Sequence, residues 1–505
     1  VRLCGHGRRV AGGPPLNRWW AELAWLGGDR DGVDERVLIS ADGDRLVAVE
    51  PGSECPPDAV RLGGLVLPGL ANAHSHAFHR ALRGRTQSGA GDFWAWRERM
   101  YRLAGVLEPD TYLALARATF AEMALAGVAA VGEFHYLHHP AGGGAYADPN
   151  AFGQAMLEAA AAAGIRITLL DTCYLQADVD GKPLAGVQRR FGDGDAAGWA
   201  GRVERLLASA RGRRGAIVGA AIHSVRAVPE PAMSVVAAWA RERGLPLHLH
   251  LSEQRAENRA CLAATGRTPA RLVADAGALS ELTTVVHATH LGDGDAELLG
   301  AAGVTACICP TTERDLADGV GPARRLAGAG CRLALGSDGH SVIDLFEEAR
   351  AVELDERLAT ERRGHHRPAD LLRAATRDGM RSLGWDAGAI EPGRLADLVA
   401  VRLDSPRLAG VAGVGVAGAG VAGPLRGPAG AAGAGGADGA AGTGAAKAAA
   451  PGADPLAAVV FAASAADVTD LVVGGRQVVA GGRHLLVEDV PGALSSAVAA
   501  LDRRS

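Results

Sequence analysis

The chain reads as an α/β protein, a closed (β/α)8 barrel of the TIM type with a small flanking β domain built from both chain ends. Three features point there. Apolar strand-like runs alternate with helix-patterned segments eight times between residues 65 and 339, and such alternation builds a parallel sheet with helices outside it. Polar residues recur at the C-terminal ends of those runs, which a barrel gathers around one mouth. Short β-prone runs flank the repeats on both sides. An open doubly wound sheet is the competing arrangement, and it is disfavoured because it would spread the strand ends along a line.

Residues 1–67 form the first part of the β domain. RVLISADGDRLVAVE, residues 36–50, places a DG turn between two β-prone runs, a hairpin signal. The barrel is expected over residues 68–390, its strands carried in order by VLPGLANAH, VAAVGEFHY, IRITLLDTCYL, AIVGAAIHS, LPLHLHLSE, TTVVHATHL, GVTACICPT and CRLALGSDG. Among the intervening segments, PDTYLALARATFAEMALAG and AFGQAMLEAAAAAG have helical spacing and end at glycine, as helices commonly do. Residues 391–505 return to β character in ADLVAV and DLVVGGRQVVAGGRHLLV. A Gly/Ala tract over 406–451 interrupts them. It offers little side-chain area to offset the entropy of ordering its backbone, so it reads as a mobile insertion.

Composition removes several classes of function. The chain has 505 residues, 48% of them hydrophobic, enough for a large core. A net charge of -5 gives no support to nucleic-acid binding, which needs a basic face. Seven cysteines without a CxxC pair argue against a disulfide framework or a cysteine zinc knuckle. Cys307 and Cys309 read as small apolar side chains on a strand. The opening VRLCGHGRRVAGG lacks the long apolar segment of a secretory signal, and no later tract has the uninterrupted apolar length of a membrane span. A cytoplasmic protein acting on a small molecule is the expectation, with a homodimer allowed.

The chemistry concentrates at the strand ends. His74 and His76 lie two apart, so on a strand both face the same side and can grip one ion. Asp338 closes a distant strand and can reach the same ion in a closed barrel. His250 supplies a third imidazole. His248 alternates with it and on spacing alone is equally able to ligate, but Glu253 favours His250 because both then stand at one loop entrance. Three imidazoles and a carboxylate suit one borderline divalent ion, most naturally zinc, with a position left open for water. Such an ion lowers the pKa of its water toward neutrality, and Glu253 is placed to take the proton and return one to a leaving amine. His287, on the next strand, can orient the water or polarise the electrophile; His290 is the weaker choice because it lies beyond the strand end. Together these groups favour addition of water to a carbon bonded to nitrogen.

NAHSH, HLHLSEQ, VVHATH and GSDGH resemble the amidohydrolase superfamily, in its single-metal deaminase-like branch. The fourth strand ends in IHS, without the lysine that bridges two metals in the other branch. ANAHSHAFHRALRG, DFWAWRERMYR, GEFHYLHH, AIHSVRAV, CPTTERDLADG and GSDGHSVIDLFEEAR extend the resemblance to the formimidoylglutamate deiminases of histidine degradation. That resemblance implies hydrolysis of N-formimidoyl-L-glutamate to N-formyl-L-glutamate and ammonia. It implies His74, His76, His250 and Asp338 as metal ligands, with Glu253, His287 and Asp338 as the catalytic groups. It also implies His79, Arg97, Tyr136, His223 and Arg226 as substrate contacts, and guanidinium forks are suited to the two carboxylates of a glutamate. One departure stands out: the family has Gln where this chain has His79, so a different carboxylate-bearing imino, guanidino or ring-amidine substrate is the alternative. A catalytically retired barrel would have lost a ligand or the proton shuttle, and this chain keeps the whole set.

Overall fold

The computed structural model describes residues 16–87, 93–411 and 453–504. Most of the Gly/Ala tract, and with it the expectation of a mobile insertion, lies outside the described residues.

Among the described residues four strands come first: β1 (Asn17–Ala24), β2 (Asp34–Asp42), β3 (Arg45–Glu50) and β4 (Val60–Pro68). Eight then build the barrel: β5 (Leu70–Ser75), β6 (Val128–His135), β7 (Arg166–Cys173), β8 (Ala216–Ile222), β9 (Leu247–Leu251), β10 (Thr283–His287), β11 (Thr305–Ile308) and β12 (Arg332–Leu335). The last four are β13 (Leu398–Val401), β14 (Val468–Val473), β15 (Arg476–Ala480) and β16 (Arg483–His484).

The strands β5 to β12 pair in chain order into one parallel sheet. It closes between its first and last members. A parallel bridge joins Ser75 to Asp338, the Asp338 amide donates to the His74 carbonyl at 3.0 Å and the His76 amide to the Asp338 carbonyl at 3.3 Å. Side chains complete this seam. Asn72 donates to Ser337 Oγ at 2.6 Å and accepts from the Ser337 amide at 2.9 Å, while His340 stands between Ser75 Oγ and Ser337 Oγ at 3.1 and 3.0 Å. Gly336 lets the strands meet there, since a Cβ on it would lie 2.7 Å from the Cβ of His74. Strands buried on both faces carry the near-continuous apolar runs seen in the sequence, and β6 and β7 are buried along their full length.

The second sheet runs in the order β16-β15-β14-β13-β4-β1-β2-β3, so both chain ends do contribute to it. The run VLPGLANAH, expected as one strand, is two: β4 ends at Pro68 in this sheet and β5 starts at Leu70 in the barrel. Gly69 makes the corner, where a Cβ would stand 2.6 Å from that of Ala129. Arg166 at the base of β7 ties the two sheets through a buried two-pronged bridge to Asp397, at 2.8 and 3.0 Å. Removing one partner of such a pair strands a buried charge, at a cost of about 3–5 kcal/mol.

The helix Ala151–Ala163 ends on Gly164 in the left-handed region at φ 77°. The helix Pro109–Leu125 is capped by Ala126, one residue before the expected glycine. After the last strand the chain forms the helix Val490–Asp502, which packs on Pro109–Leu125. No helix among the described residues is long and apolar enough to cross a membrane.

Candidate active site

The barrel mouth holds a cavity of about 760 Å³ including its opening. At its floor, four side chains converge from three places. His74 projects from β5 and His76 from just past its end, His250 from β9, and Asp338 stands just past β12. Nε2 of His74 lies 3.1 Å from Nε2 of His250 and 3.3 Å from Oδ1 of Asp338. Nε2 of His76 is 3.4 Å from the same Asp338 oxygen.

Backbone carbonyls set the rings. Nδ1 of His76 faces the Phe134 carbonyl at 2.9 Å, and Nδ1 of His250 faces that of His223 at 2.9 Å. A carbonyl only accepts, so each Nδ1 carries the proton and each Nε2 presents a lone pair to the centre, the arrangement that outer partners impose on ligating histidines. Burial also holds His74 below the ordinary histidine range, and His76 and His250 well below it. Burial by itself would raise Asp338, but the contact with His74 and the fields of His74, His287 and His76 hold it well below the usual carboxylate range. Neutral imidazoles with converging lone pairs beside a carboxylate repel one another unless a cation sits among them, so these residues fit a divalent ion.

His248 faces the same interior but lies one layer deeper, with Nε2 2.9 Å from the Ser382 carbonyl. His250, not His248, joins the cluster.

Glu253 and His287 border the floor. Glu253 follows β9 after Ser252, whose backbone is left-handed at φ 51°, and its Oε1 is 3.9 Å from Nε2 of His287. Burial pushes the Glu253 carboxyl up to about 8, against the pull of His287. His287 ends β10 with φ 69°. Its Nε2 is 3.8 Å from Asp338 Oδ2 and its Nδ1 is 3.2 Å from Glu313 Oε1. Burial opposes its charge, but Glu253, the Glu313 contact and Asp338 together raise it well above the ordinary value. His290 lies outside the cavity wall.

The outer wall carries the remaining expected residues. His79 Nε2 is 3.2 Å from the Tyr136 hydroxyl, its Nδ1 has no partner among the described residues, and burial brings it down to about 3, so the ring is neutral. The Arg97 guanidinium stacks on Trp94 at 4.2 Å and reaches Tyr101 at 5.4 Å. His223 places Nδ1 3.2 Å from Ser224 Oγ. Arg226 donates to the Tyr174 hydroxyl at 3.4 Å.

Three residues in or behind the wall carry no motif signal of their own. Gln188 donates to both Tyr101 and Tyr174, each at 3.3 Å, from a short helical turn whose sequence carries no signal of this. Glu257 lies four residues beyond Glu253, in the first turn of the helix Arg255–Thr265; Glu253 precedes that helix, so no helical spacing links the two in the sequence. Glu313, behind the wall, sits inside CPTTERDLADG, and nothing in that motif marks it as the partner of His287.

A family model described as "Amidohydrolase family" matches residues 65–478. The chain is 38% identical over 389 residues to a formimidoylglutamate deiminase of Pseudomonas aeruginosa, covering 75% of this chain and 84% of that one. It is 31% identical over 409 residues to a 5-methylthioadenosine/S-adenosylhomocysteine deaminase of Halobacterium salinarum, covering 80% and 86%. The crystal structure of an amidohydrolase from Brucella melitensis superposes with a TM-score of 0.81 at 30% identity, covering 96% of this chain and 99% of that one.

Proposed function

The chain belongs to the amidohydrolase family, and on that footing we propose that this enzyme hydrolyses N-formimidoyl-L-glutamate to N-formyl-L-glutamate and ammonia. The observation that carries the reading is the pairing, in one cavity, of a hydrolytic floor with two guanidinium groups in the wall, Arg97 and Arg226. A substrate with two carboxylates uses both, whereas a neutral nucleoside uses neither. The 38% identity to a formimidoylglutamate deiminase supports the same choice. On this reading the reaction is a step of histidine degradation in the cytoplasm, as the family resemblance implies.

His74, His76, His250 and Asp338 would hold one divalent ion, and their N3O donor set suits zinc. Bound there, the ion supplies Lewis acidity that makes water a nucleophile near neutral pH. The remaining work falls to side chains. Arg97 and Arg226 hold the carboxylates and so fix where the formimino carbon lies. Glu253 takes a proton from the attacking water as oxygen bonds to that carbon. His287 and Asp338 orient the water and the tetrahedral carbon centre. With the substrate entering as its amidinium, addition leaves an NH2 group on the tetrahedral carbon, and Glu253 delivers its proton to that nitrogen. Asp338 takes the remaining hydroxyl proton as the C=O forms and releases it to solvent, the C–N bond breaks, and ammonia leaves with an N-formyl group behind it.

The change to His79 in the wall favours one other reading, a related imino, guanidino or ring-amidine compound that also bears carboxylates. Comparing kcat/KM for formimidoylglutamate, formimidoylaspartate, guanidino acids and 5-methylthioadenosine decides between them. Formimidoylglutamate is expected to turn over best. An inert formimidoylglutamate beside an efficient rival would overturn the substrate while leaving the hydrolytic floor in place.

A further inference from the structure

We propose that Glu313 is the positioning residue for His287, fixing which imidazole nitrogen faces the reaction. The inference deepens the proposed function and rests on its reading of His287 as the group that orients water and the tetrahedral centre. Nδ1 of His287 lies 3.2 Å from Glu313 Oε1. The other nitrogen, Nε2, points back to the cavity floor, 3.9 Å from Glu253 and 3.8 Å from Asp338. Oε1 also takes the Cys309 amide, so it faces Nδ1 as an acceptor; Nδ1 carries a proton and the ring cannot flip without losing that bond.

The support comes from a different part of the chain. Glu313 stands on the short helix Pro310–Asp315 after β11, next to the strand that carries His287. The same Oε1 also accepts the Cys309 amide at 2.9 Å, which anchors the carboxylate to the barrel end. Glu313 is 3% exposed and His287 1%, so water cannot replace either partner. The backbone of His287 is left-handed, a conformation costly for a side chain bearing a Cβ, and the Glu313 contact is one of the interactions that hold the ring where that conformation aims it.

Glu313→Ala and Glu313→Gln separate positioning from simple support of the fold. Gln keeps a carbonyl oxygen that accepts from both Nδ1 and the Cys309 amide; Ala keeps nothing. In metal-loaded full-length protein, Glu313→Ala is expected to lower kcat for ammonia release about 10- to 100-fold, the usual effect of losing an outer partner of an active-site histidine. KM and bound metal should stay nearly unchanged, and Glu313→Gln should retain most of kcat. Proton NMR supplies a readout that does not depend on the substrate: a downfield imidazole N–H signal, assigned by its loss in His287→Asn, is expected in the wild type and in Glu313→Gln and absent in Glu313→Ala. The proposal is overturned if Glu313→Ala keeps full kcat, if its loss only follows lost metal or lost folded protein, or if Glu313→Gln falls as far as Ala. A wild type inert toward formimidoylglutamate would defeat the substrate assignment, and the N–H signal would still read the pair.

Discussion

The floor and the outer wall of the cavity are held in place by different means. At the floor, His76 and His250 each bond a backbone carbonyl of the barrel, and Asp338 is woven into the seam that closes it. At the wall, Arg97 is held by ring stacking on Trp94, and Arg226 by a long hydrogen bond to Tyr174 and the facing charge of Glu257. An ion tolerates only tenths of an ångström of misplacement in its ligands, so the floor is built on strands. A carboxylate can be met by a guanidinium from several directions, so the wall is built on helix and loop. Damage to the floor should therefore abolish chemistry, and damage to the wall should change which substrate is used.

Removing the metal is the strongest way to break the floor. Dialysis against a chelator should lower ammonia release by about 10³-fold or more, because Lewis acidity supplies several kcal/mol of barrier reduction. One equivalent of zinc per chain should restore it, measured by metal analysis alongside activity. Two essential ions per site would contradict the single N3O cluster.

Glu253→Gln tests the floor without touching a ligand. The substitution keeps shape and removes the base, which should cost about 10²–10⁴-fold in kcat. Bound metal and the thermal midpoint are expected to hold. Near-normal turnover with full metal would show that the proton moves by another route.

The same contrast explains what the sequence made legible. The spacing NAHSH puts His74 and His76 side by side, and apolar runs ending in polar residues bring His250, Glu253, His287 and Asp338 into view. The eight barrel strands were likewise visible as runs, except where VLPGLANAH turned out to cross from one sheet to the other at Gly69, a corner that apolarity does not mark. The hydrogen-bonding ends of the wall were not visible. Gln188 meets Tyr101 and Tyr174 across sequence separations of 87 and 14 residues, which tertiary packing sets and no local pattern records. Glu313 was present within a recognisable motif, but its partner is 26 residues away on another strand.

Arg97→Ala and Arg226→Ala sharpen the contrast from the wall side. Each removes a charge-assisted contact of about 1.5–3 kcal/mol, so kcat/KM for formimidoylglutamate should fall roughly 10- to 150-fold. An analogue lacking the corresponding carboxylate should lose much less, since the contact was never made. Equal losses for both compounds would mean that the arginines support the fold instead of selecting the substrate.

The smallest expected effect is at His79, where wall and floor meet. Its ring packs on that of His76 with centroids 4.6 Å apart, yet its only side-chain hydrogen bond among the described residues is to Tyr136. Burial keeps it neutral, so it brings one donor and one acceptor, and Tyr136 already occupies Nε2. That leaves Nδ1, itself buried, without a partner among the described residues, and on the proposed reading it makes at most a single polar contact with substrate. Gln at this position offers an amide donor and a carbonyl acceptor on one terminus, so His79→Gln should keep or improve kcat/KM for formimidoylglutamate. One neutral hydrogen bond is worth about 0.5–1.5 kcal/mol, which limits the change to roughly tenfold. A steady-state comparison of the two proteins on formimidoylglutamate and on a guanidino acid provides the check. A much larger loss confined to formimidoylglutamate would mean that the imidazole makes a contact Gln cannot copy, and would make His79 part of the floor.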